Sequence, residues 1–174
     1  ETGLDDQGWR LLLTALEQLA ERVDRPVAWL PFHQDQDTDL LEDLRRRQLI
    51  GPSLSDRSIV LPVTSPEEAL HHFGDASLVV AMRLHGLILA ALAGSPCAAL
   101  SYDPKVAAVA AALACPCLEL EHLVARSDAG LAQRLASDWG ARLDQAPDPA
   151  PVARLRSGTA VHAALLKRLQ DPAA

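Results

Sequence analysis

Aromatic side chains are scarce in this sequence of 174 residues: two phenylalanines, three tryptophans and one tyrosine make up 3% of it. The hydrophobic fraction is nevertheless 49%, and charged residues contribute 22%. A chain of this length and composition can bury a core large enough for one ordinary domain, which excludes a disordered or collagen-like chain. We expect a closely packed aliphatic core with few rings.

The sequence also has fewer basic than acidic residues, and it has no long uninterrupted apolar run. The chain carries 16 basic and 23 acidic residues, a formal net charge of −7, and no basic stripe with interleaved aromatics, so nucleic acid is not an expected partner. The longest apolar stretch, residues 77–100, is interrupted by Arg83, His85 and a Gly-Ser-Pro turn. It therefore does not fit a single membrane-spanning helix, and we expect a soluble, cytoplasmic protein without a transmembrane segment.

Cysteines are few, and the common nucleotide-binding motifs are absent. The three cysteines cannot all pair with one another, and Cys97, Cys115 and Cys117 each lie in or beside an apolar run that predicts a buried strand. Small core residues in a reducing compartment are the favoured interpretation, and no metal site is predicted. Neither G-x-G-x-x-G nor G-x-x-x-x-G-K-[ST] occurs, so dinucleotide and P-loop nucleotide sites are disfavoured. No cofactor is expected.

The amino end lacks both an initiator methionine and a signal peptide, and Glu1-Thr2-Gly3 resembles a cloning remnant. We therefore expect a piece of a longer protein. Residues 1–3 are assigned to the remnant, residues 4–145 to one Rossmann-like α/β domain, and residues 146–174 to a linker and a C-terminal helix that packs on the domain or leaves it.

Apolar strands and helices alternate along most of the chain. Strands are predicted at residues 26–32, 58–63, 77–82, 97–101 and 117–120. Helices are predicted at residues 6–23, around 40–47, and at 66–74, 84–93, 104–113, 128–143 and 152–169. Continuous apolar strands at this spacing are typical of a parallel sheet covered on both faces. We expect a three-layer Rossmann-like fold with about five strands.

Ligands in such a sheet bind beyond the carboxyl ends of the strands, so the loops there are the places to search. Arg83 and His85 lie between an apolar strand and an apolar helix, where burying either one unpaired would be costly. One interpretation is structural: Arg83 pairs with Asp75 or Asp103, and His85 caps a helix. The other is an anion site, in which Arg83 binds phosphate or carboxylate beside a helix N-terminus and His85 transfers a proton.

Two other loops carry polar residues at the same predicted edge. In Ser101-Tyr102-Asp103-Pro104-Lys105, Asp103 is either a simple helix cap beside a solvated Lys105 or part of a site in which Tyr102, the only tyrosine, faces a ligand. The loop from His33 to Asp37 follows the first strand. Asp35, Asp37 and Asp39 resemble a loose calcium loop, but helix capping is the favoured interpretation because the glycine and glutamate of such a loop are misplaced.

These residues together resemble a known family. Leu30-Pro31-Phe32 with its acid-containing loop, M-R-L-H-G-L-I-L-A-A at residues 82–91, and S-Y-D-P-K-V at residues 101–106 are similar to the C-terminal half of polysaccharide pyruvyl transferases. The similarity runs from about Gly8 to Leu120. It implies an enzyme of two Rossmann-like domains, as in GT-B glycosyltransferases, that transfers the pyruvyl group of phosphoenolpyruvate to a sugar of a cell-surface polysaccharide as a ketal.

The resemblance also implies roles for individual residues. His85 matches the proposed general acid, and Arg83 matches the arginine that holds the anionic groups of the donor. The candidate substrate-binding residues are Ser101, Tyr102, Asp103, Lys105 and His33. The implied partners are phosphoenolpyruvate, a sugar or glycan acceptor and an N-terminal domain of the same protein, with a homo-oligomer as a further possibility.

The sequence departs from the family pattern at its amino end. Family members carry an N-terminal domain and a first strand ahead of the helix at Asp6. In the usual strand order 3-2-1-4-5-6 that strand is central, so we expect a sheet closed up to 2-1-3-4-5 or a compensating rearrangement. We expect this piece to be inactive alone. The alternatives are the nucleotide-sugar half of a GT-B glycosyltransferase or sugar epimerase, and a non-catalytic interaction domain in which Arg83 and His85 bond internally.

Overall fold

Our computed structural model describes residues 4–32, 37–121, 123, 130–143, 145, 148–154 and 156–157. The helices are α1 Asp6–Val23, α2 Leu40–Arg46, α3 Pro52–Arg57, α4 Pro66–Gly74, α5 Leu84–Ala93, α6 Pro104–Ala112 and α7 Leu131–Gly140. The strands are β1 Val27–Trp29, β2 Ser58–Val60, β3 Val79–Ala81, β4 Cys97–Ser101 and β5 Cys117–Glu119.

Capping residues fix the helix starts that the sequence predicts. Asp5 caps α1, because its Oδ1 accepts a hydrogen bond from the Gly8 amide at 2.8 Å. At α4 the Ser65 hydroxyl oxygen accepts from the Glu68 amide at 3.2 Å, and Pro66 occupies the first helical position. The short helix α3 was not predicted; it starts with Pro52 at its first position.

All five strands pair in parallel, which confirms the α/β class, but they form two sheets instead of one. β1 pairs with β2, with Ala28 opposite Ile59. β3, β4 and β5 form the second sheet in that order. Of the two expected arrangements, the closed order 2-1-3-4-5 is wrong, because no pair joins β1 to β3 among the described residues, and the strands are instead rearranged into two sheets.

The two sheets nevertheless share one helical layer. On one face, α1 packs with α7 against Ala98 and Leu100 of β4, and the same α1 packs with α2 and α3 against Val27 and Trp29 of β1. On the other face, α4, α5 and α6 pack against the alternate residues of β3 and β4. Helix α1 thus spans both sheets, which lie side by side within one three-layer arrangement.

The two-stranded sheet is the less well covered of the two. Ala28 and Ile59, which are partners in register and share one face, are both exposed, with Ile59 at 47%. In contrast, all five residues of β4 are buried. The prediction that strands are covered on both faces holds for the centre of the three-stranded sheet and not for β2.

Several further predictions concern the edge and the carboxyl end. Cys97 is buried in β4 as predicted, but Cys117 is exposed because β5 is an edge strand. Most of the predicted helix at 152–169 lies outside the described residues, and the domain boundary at residue 145 stays a prediction. No helix in the described ranges is both long and apolar enough to cross a membrane.

Candidate functional site

The carboxyl ends of strands from both sheets meet at one place. Arg83 follows β3 and is the N-cap residue of α5, Asp37 lies in the connection after β1, and Tyr102 follows β4. Their side chains form one hydrogen-bonded group, which we call the Arg83 cluster. Because residues after β1, β3 and β4 meet, the two sheets run in the same direction and end at the same edge, where ligands bind in open α/β folds.

The Arg83 guanidinium binds the Asp37 carboxylate through two hydrogen bonds. Nη2 donates to Oδ1 at 2.6 Å, and Nε donates to Oδ2 at 3.2 Å. The Phe32 amide also donates to Asp37 Oδ2 at 3.2 Å, which fixes the carboxylate against β1. Asp37 is 18% exposed and Arg83 31%, so the pair is accessible from solvent mainly on the arginine side. This is the planar two-point geometry by which arginine recognises carboxylate and phosphate.

Arg83 stays cationic at every pH at which the protein can be handled. The hydrogen bonds from its guanidinium to Asp37 raise the pKa of Arg83 above its ordinary value, against a smaller opposing effect of burial. The third contact is to Tyr102: Arg83 Nη1 donates to the phenolic oxygen at 3.2 Å. Tyr102 is 36% exposed, and its own hydroxyl proton remains a donor that can point toward solvent.

The structure corrects the predicted partner of Arg83. Asp75 precedes β3 and so lies at the opposite, amino end of that strand, and Asp103 caps α6. Asp37, for which helix capping is the favoured prediction, instead pairs with Arg83, a contact that the sequence pattern did not predict. The signal was present, because Asp37 lies in a loop at the carboxyl end of a strand, the edge at which a half-buried arginine needs a carboxylate.

His85 is the second residue of α5, and its side chain is exposed. It does not cap the helix, which corrects the structural interpretation. The N-cap residue of α5, Arg83, contributes no side-chain cap to the first amides of this helix. The site therefore presents the Arg83 guanidinium, the N-terminus of α5 and an accessible imidazole within four residues of the end of β3, together with the Tyr102 hydroxyl at the end of β4.

The other predicted site residues play more local roles. The buried Ser101 hydroxyl donates to the Asp103 carbonyl oxygen at 2.9 Å, and Asp103 Oδ1 accepts from the Lys105 amide at 2.8 Å. Ser101 and Asp103 thus shape the loop that carries Tyr102. Lys105 is exposed on the first turn of α6, and His33 lies outside the described residues. Within the described ranges, no three His, Cys, Asp or Glu side chains are grouped to hold a metal ion.

A cavity of about 1290 Å³ extends from the Arg83 cluster between the two sheets, and we call it the inter-sheet groove. Consecutive residues of two segments line it: residues 25–32 around β1 and residues 76–83 around β3. Helix α1 contributes Leu12, Leu16 and Leu19 to one wall. The groove therefore follows the facing edges of β1 and β3, and the Arg83 cluster lies at its end.

Comparison with known proteins identifies the family to which these residues belong. A family model described as polysaccharide pyruvyl transferase matches residues 5–104, which include α1, both sheets as far as β4, and all three members of the Arg83 cluster. No curated protein and no solved structure matches the chain. Because the family model covers more than half of the sequence, the chain belongs to the polysaccharide pyruvyl transferase family.

Proposed function

We propose that the Arg83 cluster binds the anionic groups of phosphoenolpyruvate, and that the chain serves a transferase that moves the pyruvyl group onto a sugar as a ketal. The observation that carries this proposal is the two-point contact between Arg83 and a carboxylate at the edge where the strands of both sheets end. The Asp37 carboxylate already occupies the position that a donor carboxylate or phosphate would take or share.

The donor has two anionic groups, and the site offers two kinds of positive charge. The Arg83 guanidinium can bind one group, and the first turn of α5 can bind the other through its amides and the helix dipole. The Tyr102 hydroxyl, which accepts a hydrogen bond from Arg83, can donate its proton to a bound oxygen. Lys105 adds a mobile cation on the neighbouring helix.

In the proposed reaction, an acid adds a proton to the methylene carbon of phosphoenolpyruvate, which makes the adjacent carbon electrophilic. One sugar hydroxyl attacks that carbon, phosphate leaves, and a second hydroxyl closes the ketal ring. The two hydroxyl protons lost balance the proton added to carbon and the proton carried by hydrogen phosphate. We assign the acid role to His85, because an imidazole can donate near neutral pH and this one is exposed beside Arg83.

A second candidate is a non-catalytic interaction domain, and one observation favours it. Arg83 already has internal hydrogen bonds to Asp37 and Tyr102, so it needs no ligand to compensate for its burial. If this role is correct, Arg83 and Asp37 hold the two sheets together and bind no anion. The two roles predict opposite results when phosphoenolpyruvate is titrated.

The test is binding of phosphoenolpyruvate to the 174-residue chain, measured by calorimetry for the original sequence and for Arg83→Gln. Loss of a charged hydrogen-bond partner costs about 1.5–3 kcal/mol, so we expect roughly ten- to hundredfold weaker binding. The matched control is Arg57→Gln. Arg57 is similarly exposed, at 35%, and pairs with Asp24, but both lie at the amino ends of the strands. Equal affinity in all three proteins would contradict the proposal.

The acid role is tested separately. His85→Gln should keep phosphoenolpyruvate affinity within about twofold while it removes transfer to the acceptor in the longest natural polypeptide that contains these residues. Retained transfer with lost stability would favour the interaction domain. Tighter binding of uridine diphosphate than of phosphoenolpyruvate would favour a nucleotide-sugar site instead.

A further inference from the structure

The three cysteines lie on one face of the three-stranded sheet, at the end of its strands away from the Arg83 cluster. Cys97 is the first residue of β4, and its side chain packs in the core formed with α4, α5 and α6. Cys115 packs against the same core just ahead of β5, and Cys117 is the first residue of that strand. None of these thiols has a part in the proposed transfer, so their arrangement needs its own explanation.

The pairing of β4 with β5 places Cys97 beside Cys115. In this parallel pair Ala99 lies opposite Cys117, so the residues two positions earlier on each segment, Cys97 and Cys115, are the next neighbours on the same face. Neighbouring strands lie about 4.8 Å apart, and the Cα atoms of disulfide-bonded cysteines are usually about 4.4–6.8 Å apart. The two thiols already form a hydrogen bond with each other. They are therefore close enough for a bond between their sulfur atoms.

Cys115 is not fixed by the hydrogen bonds between the strands. The first bond from β4 to this segment joins the Ala99 amide to the Pro116 carbonyl oxygen at 2.8 Å, one residue beyond Cys115. The Cys115 amide instead donates to the Ala110 carbonyl oxygen in α6 at 3.0 Å, directly after Ala114, whose φ is 53°. A small rotation of this segment can therefore bring the two sulfur atoms together without breaking a bond between the strands.

The contact between the two thiols also prepares one of them for reaction. The Cys115 thiol donates to the Cys97 sulfur and lowers the pKa of Cys97, and the positive charge of Arg142 adds to this against the opposing effect of burial. The same contact raises the pKa of Cys115. The pair therefore gives up one proton more readily than the second, and the resulting thiolate lies next to a thiol. Burial raises the pKa of Cys117.

We propose that Cys97 and Cys115 form an oxidation site at which hydrogen peroxide converts the two thiols into a disulfide that links the start of β4 to the start of β5. Cys117 takes no part in it. The site does not depend on the anion site, because Arg83 lies at the opposite end of the strands.

The reaction has two steps. The Cys97 thiolate attacks one peroxide oxygen, the O–O bond breaks, and the hydroxide that leaves takes up the proton that the pair had released. The Cys115 sulfur then attacks the sulfenic acid on Cys97, the S–O bond breaks, and a second water leaves with the Cys115 proton. The two thiols are oxidised by two electrons, and one peroxide is reduced to two waters.

Burial and ligand number favour this chemistry over the alternatives. Cys97 is 8% exposed and Cys115 is half-buried, so an oxidant has to be as small as peroxide to reach the pair. A structural zinc ion takes four ligands, and in the ranges that the structure describes no three His, Cys, Asp or Glu side chains are grouped for a metal. The remaining alternative is that both thiols only fill space in the core.

The experiment treats the 174-residue chain with hydrogen peroxide, blocks the remaining thiols by alkylation, and digests the protein with trypsin in the absence of reductant. Cleavage after Lys105 separates the peptide that carries Cys97 from the peptide that carries Cys115 and Cys117. We expect these two peptides to be joined in monomeric protein, with a mass lower by two hydrogen atoms than their sum. Dithiothreitol should separate them again.

Single alanine variants identify the two partners. Cys117→Ala should form the cross-link within about twofold of the original rate, whereas Cys97→Ala and Cys115→Ala should form none. Cys117→Ala is the matched control, because Cys117 lies on the same tryptic peptide as Cys115. It changes an exposed residue, so the proposal can be contradicted even if the buried Cys97→Ala variant does not fold.

A separate pair of variants tests which sulfur attacks the peroxide. Arg142→Gln removes the positive charge that favours the Cys97 thiolate, and it should slow cross-linking by peroxide about two- to fivefold. Arg142→Lys keeps the charge and should restore the original rate. Equal rates in all three proteins would contradict the assignment of Cys97 as the attacking thiolate.

Three outcomes would overturn the proposal. A disulfide between Cys97 and Cys117 in the Cys115→Ala variant, formed as fast as in the original chain, would show that the neighbouring positions of Cys97 and Cys115 do not matter. A cross-link found only in dimers would show that an exposed cysteine reacts between molecules. Thiols that stay reduced, or that become sulfinic acids without a cross-link, would leave the pair with a packing role alone.

Discussion

Both sheets of this protein consist of short, apolar, parallel strands, but the strands of the two sheets are buried to different degrees. β4 sits at the centre of the three-stranded sheet, and all five of its residues are buried between two helical layers. β2 has a single buried residue, Ser58, while Ile59 and Val60 are exposed. Sequence hydrophobicity alone does not determine this difference, since both strands are apolar.

Neighbours on the strand edges explain the contrast. β4 has a paired strand on each side and α1, α5, α6 and α7 above and below it. The two-stranded sheet borders the inter-sheet groove on one side and packs against α1, α2 and α3 on one face. We infer that most of the folding stability resides in the three-stranded sheet, and that the Arg83 cluster and α1 attach the two-stranded sheet to it.

The largest expected effect compares one aliphatic truncation in each sheet. Leu100→Ala in β4 removes a side chain that is 6% exposed and should lower the free energy of unfolding by about 2–5 kcal/mol. Ile59→Ala in β2 should cost less than about 1 kcal/mol, because nearly half of that side chain already contacts water. Urea denaturation measures both. Equal losses would show that the two sheets contribute equally and would contradict our inference.

A smaller effect is expected from the ion pair that connects the sheets. Asp37→Asn removes the charge that faces Arg83 and should lower the free energy of unfolding by about 1–2 kcal/mol, since both partners are partly buried. The same change should strengthen phosphoenolpyruvate binding several-fold, because a competing carboxylate charge is gone. Urea denaturation and calorimetry provide the two readouts.

Asp24→Asn is the matched control for that substitution. Asp24 also pairs with an arginine, Arg57, but its side chain is 85% exposed, and exposed pairs contribute about 0–1 kcal/mol. We expect no change in phosphoenolpyruvate binding, because Asp24 lies at the other end of the strands. If both substitutions had the same effect on stability and binding, the Arg83 cluster would have no special role in joining the sheets.

Local sequence signals predicted the elements that depend on local interactions. The bounds of α1, α5 and β4 agree with the prediction, since Asp5 caps α1, Gly94 in the left-handed region ends α5, and β4 is a short apolar run bounded by a proline. The family resemblance, which rests on residues around Arg83 and Tyr102, is likewise confirmed by the family model over residues 5–104.

The features that were missed depend on contacts between distant segments. The split into two sheets follows from which strand edges meet, and no pattern within residues 26–32 or 77–82 encodes that. The contact between Asp37 and Arg83 joins residues that lie 46 positions apart. For this reason the local pattern around Asp37 indicated a helix cap and gave no sign of its ion pair with Arg83. The exposure of Cys117 follows from the edge position of β5, which also emerges only from the topology.

The smallest expected effect concerns acid sensitivity of the helical layer over the three-stranded sheet. The backbone amide and the hydroxyl of Thr64 both donate to Glu68 at the start of α4, and these bonds hold the pKa of Glu68 below its ordinary value. A carboxyl group with a lower pKa in the folded protein stabilises it above the pKa of the unfolded chain. That stability is lost as the pH falls through the folded value.

Glu68→Gln should therefore flatten the dependence of the unfolding free energy on pH between about pH 5 and pH 3. Near neutral pH the substitution should lower the unfolding free energy only by the small contribution of an exposed hydrogen bond. Glu67→Gln is the matched control, because Glu67 occupies the same first turn of α4 without the contact to Thr64. Urea denaturation as a function of pH measures the difference. If Glu67→Gln flattened the profile equally, the effect would arise from charge in the first turn and not from the Thr64 bonds. The start of α4 would then contribute no specific acid-sensitive contact to the better-covered sheet.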